Sequence, residues 1–159
     1  MTLILNTIFT QKIKENMFQN ILICSFVLKN SQYVIGITFE LAKKFNSNII
    51  FLKCLHEGHP TFGLFQTKSE KKKQNELAKE AQLALQEFEE MAKYYNISVK
   101  TENVFVDSLS EFVAIYVQKN NIELLVVNST PPSDIDIHNY KDIVNHIYKN
   151  IECPILTLK

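Results

Sequence analysis

Glycine is scarce in this chain, with only Gly36, Gly58 and Gly63 among 159 residues. Loops that cradle phosphate rely on glycine, because backbone N–H groups must approach the anion closely and adopt positive φ. None of the three stands in a Gly-x-Gly-x-x-Gly or Walker arrangement, which weighs against a standard nucleotide site. Net charge is also missing: 17 basic residues balance 17 acidic ones. A general nucleic-acid binder needs an excess of Lys and Arg to displace counterions, so that class is set aside. No apolar run approaches the roughly 20 residues of a membrane span. The mildly apolar start, Met1 to Phe9, lacks a basic leading region and a small-residue cleavage site, so it does not read as a signal peptide.

Cysteine is sparse as well. Cys24, Cys54 and Cys153 share no Cys-x-x-Cys spacing and cannot all pair with one another. They are expected to be reduced, mostly buried thiols of a cytoplasmic protein. The sharper alternative is a redox pair of Cys24 and Cys54, which fall in two expected neighbouring strands.

What is present has the balance of a single globular domain: 46% hydrophobic and 21% charged residues. The run Gln19 to Phe26 is short, apolar and rich in β-branched residues, and reads as a buried strand. From Ser31 to Phe45 apolar residues recur at helical spacing, and Asn46-Ser47-Asn48 ends that helix. A second strand covers Ile49–Leu55. A long helix covers Lys68–Tyr95, with Leu77, Ala81, Ala84, Phe88, Met91 and Tyr95 on one stripe and a solvated Lys71-Lys72-Lys73 near its start. A third strand spans 97–106, and a helix follows over about 109–120 with Ser108 and Glu111 at capping-box positions. The fourth strand, 123–127, leads into a polar loop. A helix over about 142–150 then precedes a fifth strand, 154–158. Short apolar strands separated by helical crossovers imply a doubly wound α/β domain: a five-stranded parallel sheet with helices on both faces. The pattern alone leaves the strand order open.

Three segments, in order and suitably separated, resemble the universal stress protein family. They are Ile21-Leu-Ile with Ser31 and Leu41-Ala42, then Ile122-Glu-Leu-Leu-Val-Val127, then Ile151-Glu-Cys-Pro-Ile-Leu156. The resemblance covers about 18–159 and sets residues 1–17 apart as an N-terminal extension. That extension is either an arm that packs on a partner or a spurious start, since Met17 stands just before the first strand. The resemblance implies the flavodoxin-like, Rossmann-like order 3-2-1-4-5, with a ligand crevice beyond the carboxyl ends of strands 1 and 4. It also implies a homodimer joined through the fifth strand, with Pro154, Ile155, Leu156 and Leu158 at the interface.

The family's phosphate loop is Gly-x-x-Gly, nine residues, then Gly-Ser or Gly-Thr. Here the spacing survives, but Asn128, Pro131, Lys141 and Asp142 occupy the four positions. By ungapped matching, the Asp that ends the first strand in nucleotide-binding members is Phe26. Pro131 removes a donor, and Asp142 is expected to cap the last helix and repel phosphate. Two readings follow. In one, the crevice is filled, with Phe26 as a plug, and the protein is a non-catalytic module with a stress-linked regulatory or protein-binding role, without ATP or another cofactor. In the other, Phe26, Cys54, Asn128, Ser129, Thr130, Lys141 and Asp142 line an altered site for a nucleotide sensor or weak ATPase. His56, Glu57 and His59 have metal-ligand character, yet no third cluster supports them, so no metal is expected. No nucleophile, base or carboxylate pair stands in a recognisable catalytic arrangement.

Overall fold

The computed structural model describes residues 17–25, 32–56, 68–106, 108–128 and 137–158. The elements in chain order are β1 (Asn20–Ser25), α1 (Gln32–Phe45), β2 (Asn48–His56), α2 (Lys68–Tyr95), β3 (Val99–Val106), α3 (Leu109–Lys119), β4 (Leu124–Asn128), α4 (Ile137–Asn150) and β5 (Ile155–Leu158). All neighbouring strands are parallel and the sheet order is β3-β2-β1-β4-β5. The order therefore reverses between β1 and β4, the switch point of a doubly wound sheet.

Alternation along the strands divides the core into two layers. Ile21, Ile23, Ile49, Phe51, Leu124 and Val126 face α1 and α2, where they meet Val34, Ile35, Phe39, Leu85, Phe88 and Ala92. Phe51 and Phe88 stack with centroids 4.2 Å apart, and Phe39 tilts against Phe88 at 5.3 Å. On the opposite face Leu22, Cys24, Leu52, Cys54, Leu125 and Val127 meet Leu109, Val113, Val117 and Ile147 of α3 and α4. Both faces are covered, which is why the strands read as continuous apolar runs rather than alternating ones.

The shortage of glycine is met by asparagine at three helix ends. Asn46, Asn96 and Asn121 adopt φ of 54°, 55° and 49°. In each case the next residue's N–H reaches back five residues: Ser47 to Ala42 at 2.9 Å, Ile97 to Ala92 at 3.0 Å and Ile122 to Val117 at 3.1 Å. This is the Schellman closure, with Asn in the left-handed position that glycine usually takes. The apolar residue after two of these caps, Ile97 and Ile122, packs into the core.

Two local expectations are corrected. Ser108 precedes α3 with an extended backbone but makes no side-chain capping bond; its carbonyl accepts from the Phe112 N–H instead. The last helix begins at Ile137 rather than near Asp142, because Tyr140, Ile143 and Ile147 continue one apolar stripe at three- and four-residue steps. The exposed Lys71, Lys72 and Lys73 lie on the solvated first turns of α2, with Lys72 and Glu76 4.0 Å apart.

The asparagine caps give a direct test by urea denaturation. Asn96→Ala is expected to lose about 1 kcal/mol, since alanine tolerates the left-handed region poorly. Asn96→Gly is expected to stay within about 0.5 kcal/mol of the parent.

Candidate functional site

In an open parallel sheet the crevice lies beyond the carboxyl ends of the strands at the switch point. Here the register aligns a row of polar side chains toward that end, closing β1 and β4 and lying three residues before the ends of β2 and β3. Ser25 of β1 is opposite Lys53 of β2, and Lys53 is opposite Asn103 of β3. Cys24 is opposite Val127, so Asn128, the next residue, continues the row beyond Ser25. By alternation the row shares the α1/α2 face with Phe51 and Val126 and sits one step beyond the apolar core.

Lys53 is the centre of this row. It is fully buried, and its Nζ donates to the Ser25 Oγ at 3.4 Å. Burial disfavours the charged amine and lowers its pKa to about 8. Ser25 is itself buried. The buried Oδ1 of Asn103 has no hydrogen-bond partner among the described residues. A buried ammonium beside a hydroxyl and an amide is a polar cluster built inside the fold, and it costs stability unless its contacts compensate.

The end of β4 is held from the other side. Tyr140, in the first turn of α4, is buried and its hydroxyl donates to the carbonyl of Asn128. Burial, more than the nearby Cys24, pushes the phenol up to about 12.

The remaining expected site residues are distributed as follows. Phe26, Ser129, Thr130 and Pro131 lie outside the described residues. Asn128 ends β4. Lys141 and Asp142 are exposed in the second turn of α4, so Asp142 does not cap the helix; the earlier start at Ile137 moves the helix N-terminus away from it. Cys54 faces the opposite layer from Lys53, Ser25 and Asn128 and belongs to the α3/α4 core. Its sulfur is 3.8 Å from that of Cys24, and burial, followed by the contact with Cys54, pushes the Cys24 thiol well up. The two thiols touch, yet the register pairs Cys24 with Leu52, two residues before Cys54. Strand spacing and rise then put the two Cα atoms roughly 8 Å apart, beyond the reach of a disulfide. The thiols are a packing contact in the reduced state. The Cys153 thiol is half-buried and is likewise raised by burial.

His56 ends β2, whereas Glu57 and His59 lie outside the described residues. Among the described residues no group of three or more His, Cys, Asp or Glu could hold a metal ion, and no helix is long and apolar enough to cross a membrane. Pro154, just before β5, is exposed, and Ile155, Leu156 and Leu158 of β5 are half-buried. β5 pairs with β4, and among the described residues no strand pairs with its other edge.

Reading the sequence missed Lys53, Ser25, Asn103 and Tyr140. Lys53 carried the clearest signal, as a lone charge within the apolar run Ile49–Leu55. Tyr140 carried one too, in its helical spacing to Ile143 and Ile147.

The model of the universal stress protein family matches residues 17–159. The chain belongs to the universal stress protein family. Solved structures agree on the fold. A universal stress family protein from Burkholderia pseudomallei superposes with a TM-score of 0.66 at 14% identity, covering 90% of this chain and 97% of the other. The universal stress protein UspA from Lactobacillus plantarum gives 0.66 at 15% identity, with 91% and 99% covered. The universal stress protein from Archaeoglobus fulgidus, solved in complex with dAMP, gives 0.61 at 9% identity, with 91% and 100% covered. At these identities the likeness is one of fold. No curated protein matches the chain in sequence.

The buried amine has a pH signature. The Lys53 pKa in the folded state is about 8, below the ordinary value near 10.4 in the unfolded chain. Between those two values the unfolded state binds the extra proton, so stability rises with pH through that window and the burial cost is fully felt below it. The stability of the wild type minus that of Lys53→Met should therefore rise by on the order of 2–3 kcal/mol from pH 7.5 to 10.5. Denaturant melts of both proteins across that range measure the difference; parallel curves would remove the buried ammonium from the account.

Proposed function

We propose that this universal stress protein is a non-catalytic module of the cytoplasm with a stress-linked regulatory role exercised through protein contacts, and that it does not bind ATP through a phosphate loop. The observation that supports this reading is that polar side chains near the carboxyl ends of the strands are engaged within the fold itself. Lys53 is buried against Ser25, and Tyr140 bridges α4 to the end of β4. The loss of glycine at the loop positions, with Asn128 and Pro131 in their place, supports it from the side of backbone geometry. The same reading includes a homodimer through β5. Its outer edge is short, apolar and unpaired among the described residues, a surface that gains from strand addition.

A second reading has one feature in its favour. Lys53 places a buried cation three residues before the end of β2, and the Archaeoglobus relative is a dAMP complex. An adenine nucleotide held by Lys53 rather than by loop glycines would make the protein a nucleotide sensor.

A single titration separates the two. Millimolar Mg-ATP is expected to leave the melting temperature unchanged. A saturable rise that requires Mg²⁺, and that Lys53→Met abolishes, would establish the sensor instead. For the dimer, Leu156→Lys is expected to give a monomer by light scattering with an unchanged far-UV circular dichroism spectrum. A folded variant that remains dimeric would reject the β5 interface.

A further inference from the structure

A concavity lies along α1. A groove of about 730 Å³ runs along the helix, lined by Tyr33, Gly36, Ile37, Glu40, Leu41 and the ring of Tyr95 from the end of α2. Tyr33 is 62% exposed, and the apolar floor is rimmed by the charged Glu40, Lys43 and Lys44. Gly36 is the second unusual feature. It stands in the middle of a helix, where glycine costs about 1 kcal/mol relative to alanine. A Cβ built on it would meet nothing within 4 Å. No close packing within the described fold therefore calls for a glycine there. A glycine in a helix interior suits a position where another stretch of backbone comes against the helix.

We propose that the occupant is the apolar stretch Leu3–Phe9 of the chain's own N-terminal segment. Residues 1–16 lie outside the described residues and ahead of the family match, which begins at 17. Where this segment joins the fold is known. The ring of Phe18 packs edge-on against Phe45, the last residue of α1, with centroids 5.2 Å apart. Gly36 is nine residues back along the helix, about 14 Å at 1.5 Å per residue. The seven residues from Thr10 to Asn16 span up to about 23 Å when extended, so the tether reaches the groove with slack. Leu3–Phe9 carries no charge and offers Leu3, Ile4, Leu5, Ile8 and Phe9, matching a floor of Ile37, Leu41 and two tyrosine rings. Tethering makes this contact intramolecular, at an effective concentration in the millimolar range, so even modest affinity suffices. The contact is independent of whether a nucleotide binds.

The experiment is hydrogen exchange followed by mass spectrometry on the full chain, reading the peptides that span 33–44. Wild type is compared with the double variant Leu5→Asp/Ile8→Asp and with Gly36→Leu, which fills the groove where the fold leaves space. Exchange of these peptides is expected to be on the order of tenfold slower in wild type than in either variant, with the β-strand peptides unchanged in all three. Equal exchange in wild type and the arm variant overturns the proposal, and that comparison stands even if Gly36→Leu fails to fold. Protection that vanishes on dilution of the wild type also overturns it, in favour of the arm of a second copy.

Discussion

A parallel sheet enclosed between two helical layers leaves its strands no face to turn toward water. Everything distinctive about this protein follows from that constraint. Along the buried stretches of β1, β2 and β4 nearly every side chain is apolar, Lys53 being the charged exception. The rule is relaxed toward the carboxyl ends, at the ends of β1 and β4 and three residues before the ends of β2 and β3. There Ser25, Lys53, Asn103 and Asn128 form a row across four strands, one step beyond the stacked rings of Phe51 and Phe88. The cost of placing an ammonium in that row is set by the same enclosure. It also explains why the amine's proton is held less tightly than in water.

The division between legible and illegible features follows the same physics. The long helix Lys68–Tyr95 was evident because its apolar stripe repeats over many turns, and the strands because fully buried strands are short and apolar. The order of the strands rested on the family resemblance, since alternation of elements constrains connections but not neighbours. The start of the last helix was misplaced because polar residues such as His138 and Asn139 obscured a stripe that Tyr140 already begins. Ser108 has the residue type and spacing of a cap, yet capping depends on a side-chain rotamer that composition does not determine. Lys53 was overlooked because a lysine is ordinarily assigned to solvent; what mattered was its apolar neighbours on both sides. Cys24 and Cys54 were rightly placed in neighbouring strands, but only the register shows that contact between their sulfurs does not amount to a possible bridge.

Family membership fixes the scaffold and leaves its use to individual side chains. The relatives named here share the fold at identities of 9–15%, a level at which loop chemistry is free to differ. In this chain the expected phosphate donors are replaced, Asp142 is directed to solvent rather than to the helix terminus, and a tyrosine hydroxyl engages the last carbonyl of β4.

The asparagines that close three helices have a further effect that lies outside the native state altogether. Glycine would satisfy those left-handed turns more easily, but each glycine widens the range of backbone shapes open to the denatured chain. With only three in the whole sequence, this polypeptide has less disorder to surrender as it folds. The strain accepted at Asn46, Asn96 and Asn121 is therefore offset before any native contact forms.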